Sequence, residues 1–189
     1  MSTILRYTSA DLEALPDDGR RYEIIDGELY VSKQPHYHHQ YTCGRIIKFL
    51  DNWIDHGGDG RAIVAPGVIF TEDNDVVPDV VWISTARLRA VLGEDGHLHG
   101  APEIAIEVLS PGSANSLRDR ETKRDLYARR GVQEYWLIDW RAKQIEVYRR
   151  RENALELAIT LFSNDQLTSP LLPGFACRVG ALFDELINS

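Results

Sequence analysis

The chain has 189 residues, with 21 Lys and Arg against 29 Asp and Glu for a net charge of -8, and 43% of its residues are apolar. That is enough for one domain, 1–189, with a hydrophobic core, and it is the reverse of the basic domain that grips nucleic acid through its overall field. Cys43 and Cys177 stand far apart with no CxxC or Cys/His spacing, which argues against a disulfide framework or a structural zinc site, and no apolar run is long enough for a membrane span or a secretion signal, so the expected location is cytoplasmic.

Thr8 to Pro16 reads as a short helix with a Thr or Ser cap, stopped by the proline. The stretch from Tyr22 to Val31 is a hairpin signal, because Asp26-Gly27 is a type I′ turn pair between β-branched and aromatic residues. Glu23, near the start of its first strand, taken by itself reads as an exposed strand carboxylate. From His36 to about His56 the apolar residues Tyr37, Tyr41, Ile46, Ile47, Leu50, Trp53 and Ile54 recur at helical spacing, and Gly57-Gly58 closes the helix. His36, His38 and His39 at its start lack the HExxH pattern, so solvated side chains are a plainer reading than metal ligands.

Residues 61–65 and 67–71 form one interrupted or two short strands around Pro66, and Asn74 and Asp75 read as turn residues before the strand that ends at Ile83. Asp79, next to Pro78, enters that apolar run, where a local turn cap is one reading of it taken alone. Thr85 to Leu92 is a short helix, and Gly93 to Gly100 has the composition of a mobile loop.

From Ala101 to Pro111 the pattern changes. Ile104, Ile106 and Val108 alternate with Ala105, Glu107 and Leu109, so both faces are largely apolar, as in a strand in the middle of a covered sheet. Desolvating a carboxylate costs several kcal/mol, so Glu107 inside that strand must be paired, protonated or bound to a metal. A helix follows from about Ser116 to Arg130, with Ser116 and Asp119 resembling a capping box and Gly131 placed to end it. Positions 116, 119, 120, 123, 126, 127 and 130 share one face, which puts Lys123 on or beside the inward side near Leu126 and Tyr127; a stem that covers apolar surface while its amine reaches water is the bland alternative. Residues 134–139, 144–149 and 154–162 read as three strands, and Val179 to Ile187 as an amphipathic helix. The run Arg149 to Arg151 at a strand end is either solvated surface or a phosphate contact. The fold class is α/β with a mixed sheet.

Three acidic residues, Glu23, Asp79 and Glu107, begin or interrupt apolar strands, and Lys123 follows on the next helix. Two carboxylates converging in one pocket repel each other unless a divalent cation sits between them, and oxygen-only ligands favour Mg2+ or Mn2+. A metal so held activates water and polarises a phosphoryl oxygen while a lysine steadies the developing charge, which is the set of groups that phosphodiester hydrolysis needs.

The order of Tyr22-Glu-Ile-Ile-Asp-Gly-Glu, Val77-Pro-Asp-Val-Val, Glu103-Ile-Ala-Ile-Glu-Val-Leu-Ser-Pro, Asp119-Arg-Glu-Thr-Lys-Arg-Asp-Leu-Tyr and Glu134-Tyr-Trp-Leu-Ile-Asp resembles the Uma-two family, a bacterial branch of the restriction-endonuclease-like PD-(D/E)xK nucleases. His39-Gln40 matches a pair often seen at the start of that family's long helix. The resemblance implies a restriction-endonuclease-like core, a central mixed sheet flanked by helices, and a Mg2+- or Mn2+-dependent nuclease acting on DNA. It implies Asp79 and Glu107 as catalytic, metal-binding carboxylates, the backbone carbonyl of Val108 as a further ligand, and Glu23 as an accessory acid. Leu109 stands where the lysine of E-x-K is usual, and the resemblance assigns that role to Lys123. DNA contact by so acidic a chain requires a local basic patch, drawn from Arg118, Arg120, Arg124, Arg129, Arg130 and Arg149 to Arg151. A catalytically silent scaffold of the same fold, acting as a dimeric interaction module, is the competing reading; a two-carboxylate glycosidase would leave Lys123 unused. Exposed strand pairs in the C-terminal half make a homodimer the expected state.

Overall fold

The computed structural model describes residues 6–16, 18–110 and 117–183. Its centre is the strand singled out above: β7 (Ile104–Val108) has every residue buried and runs parallel to β8 (Glu134–Asp139), in register from Ile104 opposite Glu134 to Val108 opposite Ile138. Parallel neighbours need a crossover, and the segment from Leu117 to Gly131 lies on it. The other pairings of this six-stranded sheet are antiparallel: β3 (Arg61–Val64) with β6 (Val80–Ile83), β6 with β7, β8 with β9 (Gln144–Arg151), and β9 with β10 (Ala154–Phe162). The order β10-β9-β8-β7-β6-β3 is thus a mixed sheet, as the sequence predicts.

Both faces are covered, which is why β7 shows no polar side. Ile104, Ile106 and Val108 pack with Cys43, Ile46 and Leu50 of α2 (Tyr37–Asp55) and with Phe175, Val179 and Leu182. Ala105 and Leu109 point the other way, towards Leu126, Tyr127 and Ala128 of α4 (Arg124–Arg130) and Ile25, Val68 and Val76 of a second sheet. That sheet has the order β2-β1-β5-β4, from β1 (Arg21–Ile25), β2 (Glu28–Ser32), β4 (Val68–Thr71) and β5 (Asn74–Val76). Asp26 at φ 51° and Gly27 at φ 76° give the hairpin the two positive φ values of a type I′ turn. The two strands around Pro66 therefore belong to different sheets, β3 to one and β4 to the other.

The short helices α1 (Ser9–Glu13) and α3 (Thr85–Val91) form where expected, the first with Thr8 donating from its N–H and hydroxyl to Asp11. Other expectations need correction. Asn74 and Asp75 lie in β5, because the buried Asn74 amide donates to Thr71 and Asp73 and its oxygen accepts the Asp26 N–H, serving two turns from inside a strand. The loop from Gly93 to Gly100 is stitched down: Leu98 is buried, its N–H donates to Gly67, and its carbonyl accepts from Ile69. Residues 179–182 form a 3-10 turn, Val179–Leu182, and the rest of the expected helix, beyond Phe183, lies outside the described residues, as do Ser116 of the expected capping box and the loop after Ser110. Two-residue strands β11 (Gln166–Leu167) and β12 (Cys177–Arg178) pair without a sequence signal long enough to read.

Gly131 ends α4 in the left-handed region at φ 100°, with open space where a Cβ would stand. Its replacement by alanine adds only backbone strain, so a loss of about 1–2 kcal/mol in a denaturant titration is the expected result.

Candidate active site

The β6–β7 register pairs Val80 with Ile106, and continuing it by one rung brings Asp79 opposite Glu107. Directly opposed strand residues hold their Cβ atoms about 4.5–5.5 Å apart, so the backbone alone puts the two carboxylates side by side. Asp79 is not a local turn cap: its Oδ2 accepts the Val108 N–H at 2.9 Å across the strands and faces His39 Nε2 at 3.1 Å, and its Oδ1 accepts from Arg21 Nη1 at 2.7 Å. His39 reaches it from the first turn of α2, where His36 caps the helix by accepting the His38 N–H through Nδ1.

Lys123 is 1% exposed, so the solvated-amine alternative is wrong. Its Nζ lies 2.8 Å from Glu107 Oε1 and 2.7 Å from Glu23 Oε1. Glu107 Oε1 also accepts from the Tyr127 hydroxyl at 2.8 Å, so Tyr127 both packs and holds the carboxylate. The helix is irregular at this point. Residues Arg118–Lys123 are π-helical and run directly into α4, and the Tyr135 hydroxyl donates to the Asp119 carbonyl, supplying a partner where the i→i+4 ladder is broken. Glu23 is fully buried on β1, not exposed; Val77 N–H donates to its Oε1, and its Oε2 has no hydrogen-bond partner among the described residues, Arg118 Nη1 standing 3.8 Å away. Asp79 and Glu107 thus come together with Lys123 and Asp119 in the wall of a cavity of about 460 Å3 that also includes Val108, while Glu23 meets Lys123 but is not part of that wall.

The charges nearly balance. Glu23, Asp79, Glu107 and Asp119 face Arg21, Arg118 and Lys123, with His39 as a cation only when protonated. Burial pushes the Glu107 carboxyl up to about 8 in spite of Lys123, with Asp79, Asp119 and Glu23 adding to the push. Asp79 goes the opposite way: against its burial, His39 and Arg21 hold it well below the usual carboxylate range. Glu23 is lowered against burial by Lys123 and Arg118, and Lys123 is raised against burial by Glu107 and Glu23. Two neighbouring carboxylates pushed in opposite directions in one cavity make it a functional-site candidate.

The sequence model of the Uma2 family, described as "Putative restriction endonuclease", matches residues 9–180. The chain belongs to the Uma2 family. No curated protein matches it. Among solved structures it is similar to one described as "a putative nuclease belonging to DUF820 from Anabaena variabilis ATCC 29413", at 21% identity and a TM-score of 0.74 over 94% of this chain and 97% of that one. A weaker likeness is to the type IIG restriction endonuclease BpuSI, at 14% identity and a TM-score of 0.42, over 81% of this chain and 16% of that one. The first of these shows the fold, a mixed sheet flanked by helices, in this Uma2 chain.

Sequence reading assigned no site role to three groups bordering this cavity: Arg21, not singled out there; Asp119, read as a helix cap; and His39, half of the family's His-Gln pair but otherwise read as a solvated side chain. Arg21 shares a face of β1 with Glu23 by strand alternation, Asp119 stands one turn before Lys123, and His39 opens α2; the alternation and the helical spacing were the available signals. The expected basic residues mostly lie elsewhere. Arg120 is bound to Glu146, Arg129 to Asp26, Arg149 to Glu134 and Arg151 to Glu156, while Arg150 donates to the carbonyls of Val132, Ala128 and Glu152. The run Arg149 to Arg151 is thus tied up within the fold, and of the arginines expected to form the patch only Arg118 borders the cavity, joined there by Arg20, Arg21 and Lys33. His39, Cys43 and Asp79 bring ligand-capable atoms within 4.8 Å of one another, and burial, with Asp79 and Glu107 nearby, pushes the Cys43 thiol far above its ordinary range. No helix among the described residues is long and apolar enough to cross a membrane.

Proposed function

We propose that this protein hydrolyses phosphodiester bonds in DNA with Mg2+ or Mn2+ held by Asp79 and Glu107. The observation that supports it is the meeting of these two buried carboxylates with the Lys123 ammonium in one cavity of an Uma2 chain. The donor set fits a hard divalent cation: Asp79 and Glu107, with the Val108 carbonyl in the same cavity wall, offer oxygen ligands alone. When bound, such an ion polarises a phosphoryl oxygen and lowers the pKa of a coordinated water. The chain's own groups do the rest. Arg21, His39 and the Val108 N–H fix the orientation of Asp79, and Tyr127 fixes Glu107. Lys123 stands ready to stabilise charge on the transferring phosphoryl oxygens, and Glu23 anchors it as the accessory acid. The Val108 carbonyl, at the same strand end, is the proposed third ligand.

The expected result is nicking of plasmid DNA that depends on Mg2+ or Mn2+, is abolished by EDTA, and is absent from Asp79→Ala. Nicking that survives in Asp79→Ala belongs to a contaminant and removes the support.

A second reading, a silent dimeric module, has its own observation. Among the described residues β10 is an edge strand of nine residues with Leu157, Ile159 and Phe162 exposed, and its outer edge is a template for a second copy of this chain. Homodimerisation through β10 is compatible with either reading, and sedimentation of Ile159→Lys against wild type tests it: a monomeric variant supports pairing at this edge, and an unchanged mass rejects it. EDTA-sensitive nicking then separates an enzyme from a scaffold.

A further inference from the structure

Hydrogen bonding in the β1–β2 hairpin ends at the rung that pairs Arg21 with Ser32, so the residues just outside it, Arg20 and Lys33, flank the open end opposite the Asp26-Gly27 turn. Both border the cavity that holds the carboxylates. A second cavity, of about 700 Å3, adjoins it and shares Gly19, Arg20, Ser32 and Lys33 with it. The space thus continues past the site along one side of the hairpin end, and the shared wall between the two parts carries two cations, a hydroxyl and a glycine with open space around it.

These two cations differ from the others at the site. Arg21 and Arg118 are committed to buried carboxylates, and Lys123 lies between two. Lys33 is exposed and makes no ion pair among the described residues, and Arg20, its side chain 62% exposed, pairs among them only with Asp18 at 3.2 Å. An exposed pair of that kind is worth little and is readily exchanged for a phosphate. On a chain of net charge -8, a polyanion meets overall repulsion, so the groups that hold it must be free cations close to the chemistry.

We infer that Arg20 and Lys33 form a phosphate subsite for the DNA backbone next to the scissile bond, with the strand leaving the site along the open end of the β1–β2 hairpin. This rests on the nuclease reading and adds to it the path of the substrate. Phosphate contacts position a strand without reading its sequence, so the subsite contributes affinity and register, not base preference.

The test is fluorescence anisotropy of a short labelled DNA duplex in EDTA, titrated across salt concentrations, on wild type, on the double variant Arg20→Gln/Lys33→Gln, and on Arg151→Gln, which lies at the β9 end away from the site. Each phosphate contact contributes about 0.9 to the slope of log K against log salt for a B-form duplex, so the double variant should lose about 1.8 while Arg151→Gln loses nothing. In Mg2+ the double variant should show a raised KM with kcat unchanged, and its melting midpoint should match the wild type, since both side chains are exposed. An unchanged slope in the double variant, or a wild type with no salt-dependent binding, overturns the subsite. Plasmid nicking by wild type is scored separately: EDTA-sensitive nicking with an unchanged slope removes the subsite and leaves the nuclease, whereas a reduced slope without nicking keeps the groove and removes the nuclease.

Discussion

Lys123→Met is expected to melt well below the wild type in metal-free buffer. The ammonium is the shared partner of Glu107 and Glu23, both fully buried, and the methionine keeps the stem while deleting the charge. Breaking a buried pair from one side costs about 3–5 kcal/mol, and in a domain of this size each kcal/mol moves the midpoint about 2–4 °C, for a fall of about 6–20 °C. Lowering the pH should narrow the gap as Glu23, which Lys123 and Arg118 hold below its ordinary range, takes a proton, since Glu107, pushed up to about 8, already carries one at neutral pH. Saturating Mg2+ should narrow it too, by returning positive charge to the same carboxylates. Turnover on DNA should fall about 10²- to 10³-fold, the size of a lost group that stabilises developing charge. Melting curves and nicking rates on the same protein check both parts; a variant within a degree of wild type would mean the two ion pairs hold nothing.

Glu107→Gln should behave quite differently without metal, although the same ion pair is cut. Lys123 keeps Glu23 at 2.7 Å, and the amide oxygen of glutamine can still accept from Lys123 and Tyr127, so no charge is left stranded. Its apo midpoint is expected to equal or exceed that of the wild type. The pH profile carries the sharper signature. Glu107 is raised in the folded protein from 4.5 to about 8, so between those values the native state binds more protons than the unfolded chain. Stability from this group is therefore fully present below about pH 4.5 and is lost as pH rises towards 8, at up to about 1.4 kcal/mol per pH unit. Urea midpoints of metal-free wild type should fall across that window, and those of Glu107→Gln should be flatter by the same amount. Metal reverses the comparison: at about 100 times its Kd a ligand adds roughly 2.7 kcal/mol, or about 5–11 °C here, to the wild type and nothing to a variant lacking one ligand. A wild type insensitive to Mg2+ and Mn2+, with parallel pH profiles in the two proteins, would end the metal-site reading.

Local signals were strong enough to place most strands and helices. The Asp26-Gly27 pair carries its own backbone preference, β8 and β10 are bounded as their composition reads, and α2 follows its apolar spacing almost to the residue. The reading failed where distant partners decide. Asn74 looks like a turn residue because its amide can serve turns, and it does so from within β5 only because the Asp26 turn lies beside it. The loop from Gly93 to Gly100 looks mobile until the pairing of Leu98 with the Gly67 and Ile69 backbone is seen.

The same division runs through the site. That Glu107 requires a partner follows from sequence alone, since a carboxylate in a run of Ile, Ala and Val cannot be hydrated, and the ordered motifs shared with a nuclease family pointed to Asp79 and Lys123 as its company. Which partner Glu107 takes was decided by tertiary structure: the crossover helix brings the Lys123 Nζ to 2.8 Å, strand register sets Asp79 opposite, and the hairpin delivers Arg21 and Glu23 from a separate sheet. The sequence could not show this because alternation and helical spacing encode which side of an element faces inward, whereas charge pairing depends on distances between elements far apart in the chain, 58 residues in the case of Arg21 and Asp79.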